Sequence, residues 1–273
     1  MTAPLPHERA ALADLLAEAG FVAAQEEADE LVVAAAGDGP CLEGMVRRRL
    51  TGEPLAWITG RVDFCGLVLR VDPGVYVPRW HSEVLARRAA DRLPPTGTAV
   101  DLCTGSGAIA AALAAHRPEA RIIGTDLDER AVACARANGV EAHRGDLFEP
   151  VPGDLEGRVD VVVGVVPYVP TAQLGSLQRD TLTFESATAY DGGPDGAGIL
   201  RLAVGGSARF LRPGGALLLE LGGDHAELID TDLARHGFED VAVLLDDDGD
   251  VRGIEATRAG GSGPADGLPG AGS

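Results

Sequence analysis

The chain has 273 residues, 45% of them apolar, which is enough for one large α/β domain and a smaller one. No apolar run approaches the roughly 18 uncharged residues of a membrane span, and Met1-Thr2-Ala3-Pro4 does not read as a signal peptide, so the expected compartment is the cytoplasm. A formal charge of −19, with arginine supplying all 23 Lys+Arg positions, argues against direct binding to a nucleic-acid backbone, which needs cationic neutralisation.

Pro6 to Leu50 reads as a helical module. Leu12, Leu15, Leu16 and Ala19, then Ala28, Leu31, Val32 and Ala35, recur at helical spacing. Gly20 and Gly37-Asp38-Gly39-Pro40 mark breaks, and Cys41 to Leu50 gives a further short helix. Residues 1–55 are thus expected to form a small helical domain, either a cap for a partner or a stabilising appendage.

The period then changes. Trp57 to Phe64 and Leu67 to Val71 alternate about Cys65-Gly66, which predicts a β-hairpin linker over 56–78. Val75 to Glu83 is an extended charged and aromatic segment entering a helix that carries Arg88 and Arg92. It reads as a pocket wall, or else as a plain linker with Trp80 packed on the hairpin.

From Ala99 strands and helices alternate, predicting a mostly parallel sheet flanked by helices over 79–258. Strands are expected at 98–102, 121–125, 139–143, 159–163, 215–221, 240–245 and 251–257, with helices near 107–116, 128–138, 195–210 and 224–236. Pro213-Gly214-Gly215 reads as a turn. The Gly, Pro, Ser and Ala-rich 259–273 is expected to be a disordered tail. Cys41, Cys65, Cys103 and Cys134 form no CxxC pair and read as reduced thiols, not as a disulfide or metal set.

The stretch around which the chain is organised is Ala99-Val100-Asp101-Leu102-Cys103-Thr104-Gly105-Ser106-Gly107, an apolar strand running through an acidic residue into a glycine turn and a helix start. About twenty residues on, Arg121 to Thr125 ends at Asp126, the layout of a nucleotide site at the carboxyl ends of parallel strands. The Gly105-to-Ala110 pattern with Asp126 would alone suit a nicotinamide dinucleotide. Asp101, however, sits where it would repel a pyrophosphate and suit an ammonium group, and Gly145-Asp146-Leu147 follows the third strand where an adenine amino group would lie. Amine, ribose and adenine together point to S-adenosylmethionine. Read as ordinary turn residues, Asp126 and Asp146 would carry no such meaning.

The Asp101–Gly107 run, Val159 to Val163, Pro167-Tyr168-Val169-Pro170 and Tyr190-Asp191-Gly192-Gly193-Pro194-Asp195-Gly196 resemble the release-factor glutamine N5-methyltransferases. So do Gly52-Glu53-Pro54-Leu55-Ala56-Trp57-Ile58-Thr59-Gly60, Phe64 and Val77-Pro78-Arg79 upstream. The resemblance implies a Rossmann-like class I S-adenosylmethionine-dependent methyltransferase with a small N-terminal helical domain and a hairpin bridge. It implies a cofactor site of Asp101, Cys103, Thr104, Gly105, Ser106, Gly107, Asp126 with Leu127 on the ribose side, and Asp146 with Leu147 beside the adenine. It also implies a protein acceptor like a release factor.

Two departures fall on the acceptor side. The family's Asn-Pro-Pro-Tyr is Val165-Val166-Pro167-Tyr168 here, and its Pro-Arg-Pro-Glu-Thr-Glu is Pro78-Arg79-Trp80-His81-Ser82-Glu83. Valine has no side-chain donor or acceptor to hold an amide. The backbone carbonyls of Val165 and Val166 and the ring of Tyr168 remain as acceptor-site groups, and His81 is the candidate general base for an amine or hydroxyl acceptor, ahead of Glu83 and Glu185. His116, His143, His225 and His236 read as surface residues. The readings that follow are a protein methyltransferase with an altered acceptor, a small-molecule N- or O-methyltransferase, or a non-catalytic S-adenosylmethionine-binding protein, with a nicotinamide-dependent oxidoreductase as the outlier.

Overall fold

The computed structural model describes residues 6–260 apart from 178 and 247. Met1–Pro4 and the expected disordered tail from 261 onward lie outside the described residues, while Ala259 still donates to the Gly237 carbonyl.

Four helices open the chain: α1 (Pro6–Glu18), α2 (Ala24–Ala35), α3 (Gly39–Arg49) and the short α4 (Leu55–Thr59). Their shared core contains Leu16, Ala28 and Leu31, all without exposure, together with Ile58. Asp38 caps α3 by accepting from Cys41 N, and the Arg49–Glu27 ion pair ties α3 to α2. Trp57 to Thr59 is therefore helical and not the first strand of the hairpin. Ala56, Trp57 and Ile58 are buried in succession, which alternation on a two-faced strand does not allow. Ile58 faces the bundle, while Trp57 packs with Val71, Val75 and Ala131 and donates to Val75 O at 2.9 Å.

The hairpin is shorter than its pattern, β1 (Arg61–Phe64) and β2 (Leu67–Arg70). Cys65 and Gly66 both have positive φ, 49° and 77°, as a two-residue turn between twisted strands requires.

After α5 (Ser82–Arg92) the alternation runs β3 (Thr98–Leu102), α6 (Ala108–His116), β4 (Arg121–Asp126), α7 (Glu129–Ala137), β5 (Glu141–Arg144) and β6 (Val159–Gly164). Short 3₁₀ turns and α8 (Arg179–Phe184) lead to α9 (Gly198–Phe210), β7 (Leu211–Glu220), α10 (His225–Arg235), β8 (Phe238–Leu245) and β9 (Val251–Arg258). The seven-stranded sheet has the order β5-β4-β3-β6-β7-β9-β8, with β9 antiparallel to both neighbours. The expected turn at Pro213-Gly214-Gly215 survives as an irregularity within β7, because Leu211 pairs with Val159 and Ala216 already with Val161.

One core lies between the sheet and α5, α6 and α7, the other beneath α9 and α10. Chain order runs outward from β3 to β4 and β5 on one side, and from β6 to β7 on the other. The crevice at that reversal, outside the carboxyl ends of β3 and β6, is where a doubly wound sheet leaves room for a ligand.

Candidate active site

β3 delivers Asp101 to the crevice with 1% exposure. Its Oδ2 accepts from Thr104 Oγ1 at 2.6 Å and from Ala110 N at 3.2 Å, leaving Oδ1 for a ligand. Burial pushes this carboxyl up to about 7 against the opposing pull of those two hydrogen bonds. The loop that follows is fixed by its own backbone: Thr104 N donates to Thr125 O, and Gly107 N to Thr104 O. Gly105 has φ +57° and open space where a Cβ would stand, so a ligand can approach the main chain there. Gly107 instead is packed, since a Cβ would lie 2.9 Å from Val140 and 3.0 Å from Ala135 on α7.

Asp126 closes β4. Its two carboxylate oxygens accept from Gly105 N and Asp128 N, both at 2.9 Å, which anchors the glycine turn to the second strand. Asp146 is exposed just beyond β5, and Leu147, at φ +43°, packs into the lower core. Burial first, and then the charges of Asp126, Asp101 and Asp146, drive the Cys103 thiol far above its ordinary range. Of the three carboxylates predicted at successive strand ends, Asp101 and Asp126 line the crevice, while Asp146 lies exposed beyond β5. Buried Ser106 Oγ and Thr125 Oγ1 have no partner. Asp101, Ser106 and the open face of Gly105 line one pocket and Gly105 and Asp126 the cavity beside it, a set that suits a ligand cationic at one end and rich in hydroxyls elsewhere.

Across the crevice lies a cavity of about 410 Å³. Gly105, Asp126 and Leu127 form one wall, Tyr76, Arg79 and His81 the linker wall, and Val165–Val169, Glu185 and Tyr190 the third. Val165 is half-buried at this wall, while Val166, 1% exposed, also packs into the core with Val100 and Leu102. The glycines of the Tyr190–Gly196 run hold Tyr168 in place. A Cβ on Gly192 would fall 2.7 Å from Tyr168 Cα, and one on Gly196 2.5 Å from Tyr168 O. Val169 N donates to Tyr190 O and Gly192 N to Val169 O, completing the clamp.

Two of the weaker base candidates are already committed. Glu185, 5% exposed, accepts from Val77 N at 3.0 Å, Arg79 Nη2 at 2.7 Å and the Tyr190 hydroxyl, so it joins the linker to the β6–α9 segment. Glu83 accepts from Cys65 N and from Arg87. His81 remains, its Nε2 3.6 Å from Glu220 Oε1. Trp80 is 72% exposed, which rules out its packing on the hairpin. His225 is half-buried and not a plain surface residue: its Nε2 is buried without a partner among the described residues and its ring meets Tyr168 edge-on at 5.6 Å.

Sequence reasoning missed Glu220 and Ser82. Glu220 ends β7 with 2% exposure, accepting from Ser82 Oγ at 2.5 Å and from Tyr168 OH at 3.4 Å. The signal was a single charge closing Ala216-Leu217-Leu218-Leu219, where an apolar strand would otherwise simply end. Among the described residues no group of His, Cys, Asp and Glu is arranged to hold a metal ion, and no helix is long and apolar enough to cross a membrane.

Residues 70–165 match the methyltransferase small domain. A release factor glutamine methyltransferase of Geobacter sulfurreducens is 40% identical over 212 residues, covering 76% of this chain and 74% of the relative. One from Mycobacterium leprae is 37% identical with 89% and 93% covered. A 4-amino-L-phenylalanine/4-methylamino-L-phenylalanine methyltransferase of Streptomyces pristinaespiralis is 37% identical with 81% and 85% covered. The crevice geometry and these likenesses agree, and the chain belongs to the release factor glutamine methyltransferase family as an S-adenosylmethionine-dependent methyltransferase.

Proposed function

We propose that this enzyme methylates the nitrogen of a small-molecule amine and not a release-factor glutamine. The observation that carries this reading is Val165: at the wall of the acceptor cavity the chain offers a methyl-bearing surface where the family holds an amide with asparagine. A glutamine amide is a poor nucleophile and depends on such hydrogen bonds for alignment. An amine nitrogen has its own lone pair and needs mainly a shaped, dry wall, here supplied by Val165, Pro167 and Tyr168. The relative from Streptomyces pristinaespiralis, by its name a methyltransferase of a free amino acid, supports such an acceptor within the family.

S-adenosylmethionine, when bound, supplies an electrophilic methyl group on a sulfonium. In this reading Asp101 Oδ1 takes its ammonium, and Gly105, Ser106, Gly107 and Thr104 line its amino-acid end beside Cys103. Asp126 and Leu127 receive the ribose, with Asp146 and Leu147 near the adenine. The unpartnered Ser106 hydroxyl and the open face of Gly105 fit that placement. On the acceptor side the carbonyls of Val165 and Val166 accept from the amine, Tyr168 faces the methyl group through its ring, and His81 takes the proton. We further assign residues 1–55 to a helical domain, 56–78 to the linker and 79–258 to the methyltransferase domain, working in the cytoplasm without direct nucleic-acid contact.

Labelled S-adenosylmethionine incubated with cell extract, split into metabolite and protein fractions, tests the reading. Label in the metabolite fraction is expected, with none on a recombinant release factor. Methylated release-factor glutamine at comparable rate would overturn it. Val165→Asn is expected to create or raise release-factor methylation by at least tenfold, measured by mass spectrometry of the glutamine peptide.

A further inference from the structure

Asn138 is the only asparagine in the 273-residue chain. It caps the C-terminus of α7, and its carboxamide meets three backbone groups that lie far from it in the chain. Oδ1 accepts from Arg70 N at 2.9 Å, while Nδ2 donates to Arg70 O at 2.9 Å and to Ser106 O at 2.8 Å. Both amide hydrogens and the amide oxygen are thus engaged. Towards β2 the group acts as a neighbouring strand would, pairing with the N–H and the C=O of one residue on the open edge of a two-stranded ribbon. Cys134, four residues earlier on α7, donates its thiol to the same Arg70 carbonyl at 3.3 Å. Towards β3, α7 is already pressed on the glycine turn, where Gly107 leaves no room for a methyl beside Ala135. One side chain therefore fastens the hairpin to the turn, across 68 residues on one side and 32 on the other.

The two segments so joined are opposite faces of one pocket. Phe64, Tyr76 and Pro78 line it from the hairpin and the linker that follows, and Asp101, Gly105 and Ser106 line it from β3 and the turn. Asn138 spans the two faces from outside the pocket and touches only main-chain atoms on either side. We propose that Asn138 is a positioning residue that makes the hairpin and the glycine turn close on the cofactor as one body, so that S-adenosylmethionine bound at the turn also orders the hairpin. This rests on the placement of the cofactor's amino-acid end at Asp101–Gly107 given above. The hairpin keeps its own packing through Phe64 and Leu69, and the turn keeps its bonds to Thr125 and Asp126, so loss of the carboxamide uncouples two faces that each persist. What is lost is the passage of binding free energy from one to the other. Aspartate cannot stand in at this position: it matches the shape of asparagine but meets two carbonyl oxygens with no hydrogen to give.

Amide hydrogen exchange of the full chain, read by mass spectrometry with and without saturating S-adenosylhomocysteine, tests this without turnover. In the native protein the ligand is expected to slow exchange about fivefold or more both in the turn, 102–110, and in the hairpin, 61–71. In Asn138→Ala the turn should keep its ligand-dependent protection while that of the hairpin disappears, and affinity by calorimetry should fall about fivefold. Asn138→Asp should behave in the same way. A native hairpin indifferent to the ligand, with a turn that responds, overturns this inference and leaves the cofactor placement standing. A turn that does not respond overturns the placement itself. If the hairpin of Asn138→Ala exchanges faster by the same factor with and without ligand, the bonds are structural only and the inference falls. Should neither variant fold, labelling the native protein with nitrogen-15 asparagine decides the matter, because a single asparagine gives a single side-chain amide pair in the NMR spectrum. Both hydrogens of that pair should exchange more slowly when the ligand is bound; unchanged exchange would refute the coupling.

Discussion

The two walls of the crevice are built in opposite ways. On the side proposed for the cofactor, the Asp101 and Asp126 carboxylates accept from Thr104 Oγ1, Ala110 N and Gly105 N across 3 to 21 residues, two of these three donors being backbone groups. On the acceptor side, Arg79 meets Glu185 across 106 residues, Ser82 meets Glu220 across 138 and Tyr168 meets Glu220 across 52, each through side chains. A wall made of backbone turns changes only if the fold changes. One made of convergent side chains can exchange its chemistry while the strands beneath stay in register, as a Val165 in the place of asparagine illustrates.

Asp101 gives the largest expected effect and the sharpest separation of the two walls. Asp101→Asn keeps an oxygen for Thr104 and Ala110 but removes the charge. S-adenosylmethionine affinity should fall by about 2–3 kcal/mol, on the scale of a hydrogen bond to a charged group, as read by calorimetry. In the native protein the same affinity should decline as pH falls through about 7, because protonation silences this carboxyl, and the decline should vanish in the variant. Stability must move the other way. The carboxyl's folded value lies above its ordinary 3.8, so between roughly pH 4 and 7 the folded state keeps a proton that the unfolded chain has released. Cofactor-free stability is therefore full below that window and is lost as pH rises through it, by on the order of 4 kcal/mol. At pH 8, without cofactor, Asp101→Asn should melt above the native protein. A variant both weaker in binding and lower in melting temperature would show that Asp101 is not an ionised ligand group.

Gly196→Ala attacks the acceptor wall alone. The residue sits at φ +78°, and its new methyl would lie 2.5 Å from Tyr168 O and 2.7 Å from His225 Nε2. Left-handed strain and overpacking together should cost about 2–4 kcal/mol, visible in chemical denaturation. Displacing Tyr168 should lower kcat at least tenfold while S-adenosylmethionine affinity stays within threefold. A matching loss of cofactor affinity would mean that the two walls are mechanically one.

Glu185→Gln should act more mildly on the same wall. It weakens the contacts to Val77 N, Arg79 and Tyr190 without removing the side chain, and Arg79 retains access to solvent. A loss of about 1–2 kcal/mol is expected in thermal or denaturant unfolding. Because Glu185 is committed to Arg79, the pH dependence of kcat should keep its shape; a lost limb would make Glu185 the base in place of His81.

The same contrast decides what the sequence could disclose. Asp101 and Asp126 were readable because each stands at the carboxyl end of an apolar strand, next to last in β3 and last in β4, and the parallel pairing of those strands sets them side by side. The strand and helix alternation, the hairpin turn at Cys65-Gly66 and the helical bundle were readable from period alone. Trp57 to Thr59 was misjudged because its apolar residues face two different cores, which imitates strand alternation. Glu220, the commitment of Glu185 to Arg79 and the packing of half-buried His225 on Tyr168 could not be read, since they depend on which distant segments meet. No local pattern records a partner 106 or 138 residues away.

Cys103→Gly is the smallest expected effect and tests whether the cofactor wall depends on backbone shape alone. Cys103 holds φ +53°, a conformation costing a non-glycine residue about 1–2 kcal/mol. Glycine relieves that cost but returns about 0.5–1 kcal/mol through the greater freedom of its unfolded chain, and the buried thiol's packing is lost as well. These contributions nearly cancel, so stability should change by less than about 1 kcal/mol, a shift in melting temperature of no more than about 4 °C. With Asp101, Gly105 and Asp126 still placed by their hydrogen bonds, S-adenosylmethionine affinity should stay within threefold. If instead affinity fell more than tenfold at unchanged stability, the sulfur itself would be a contact of the ligand, and the cofactor wall would owe part of its chemistry to a side chain after all.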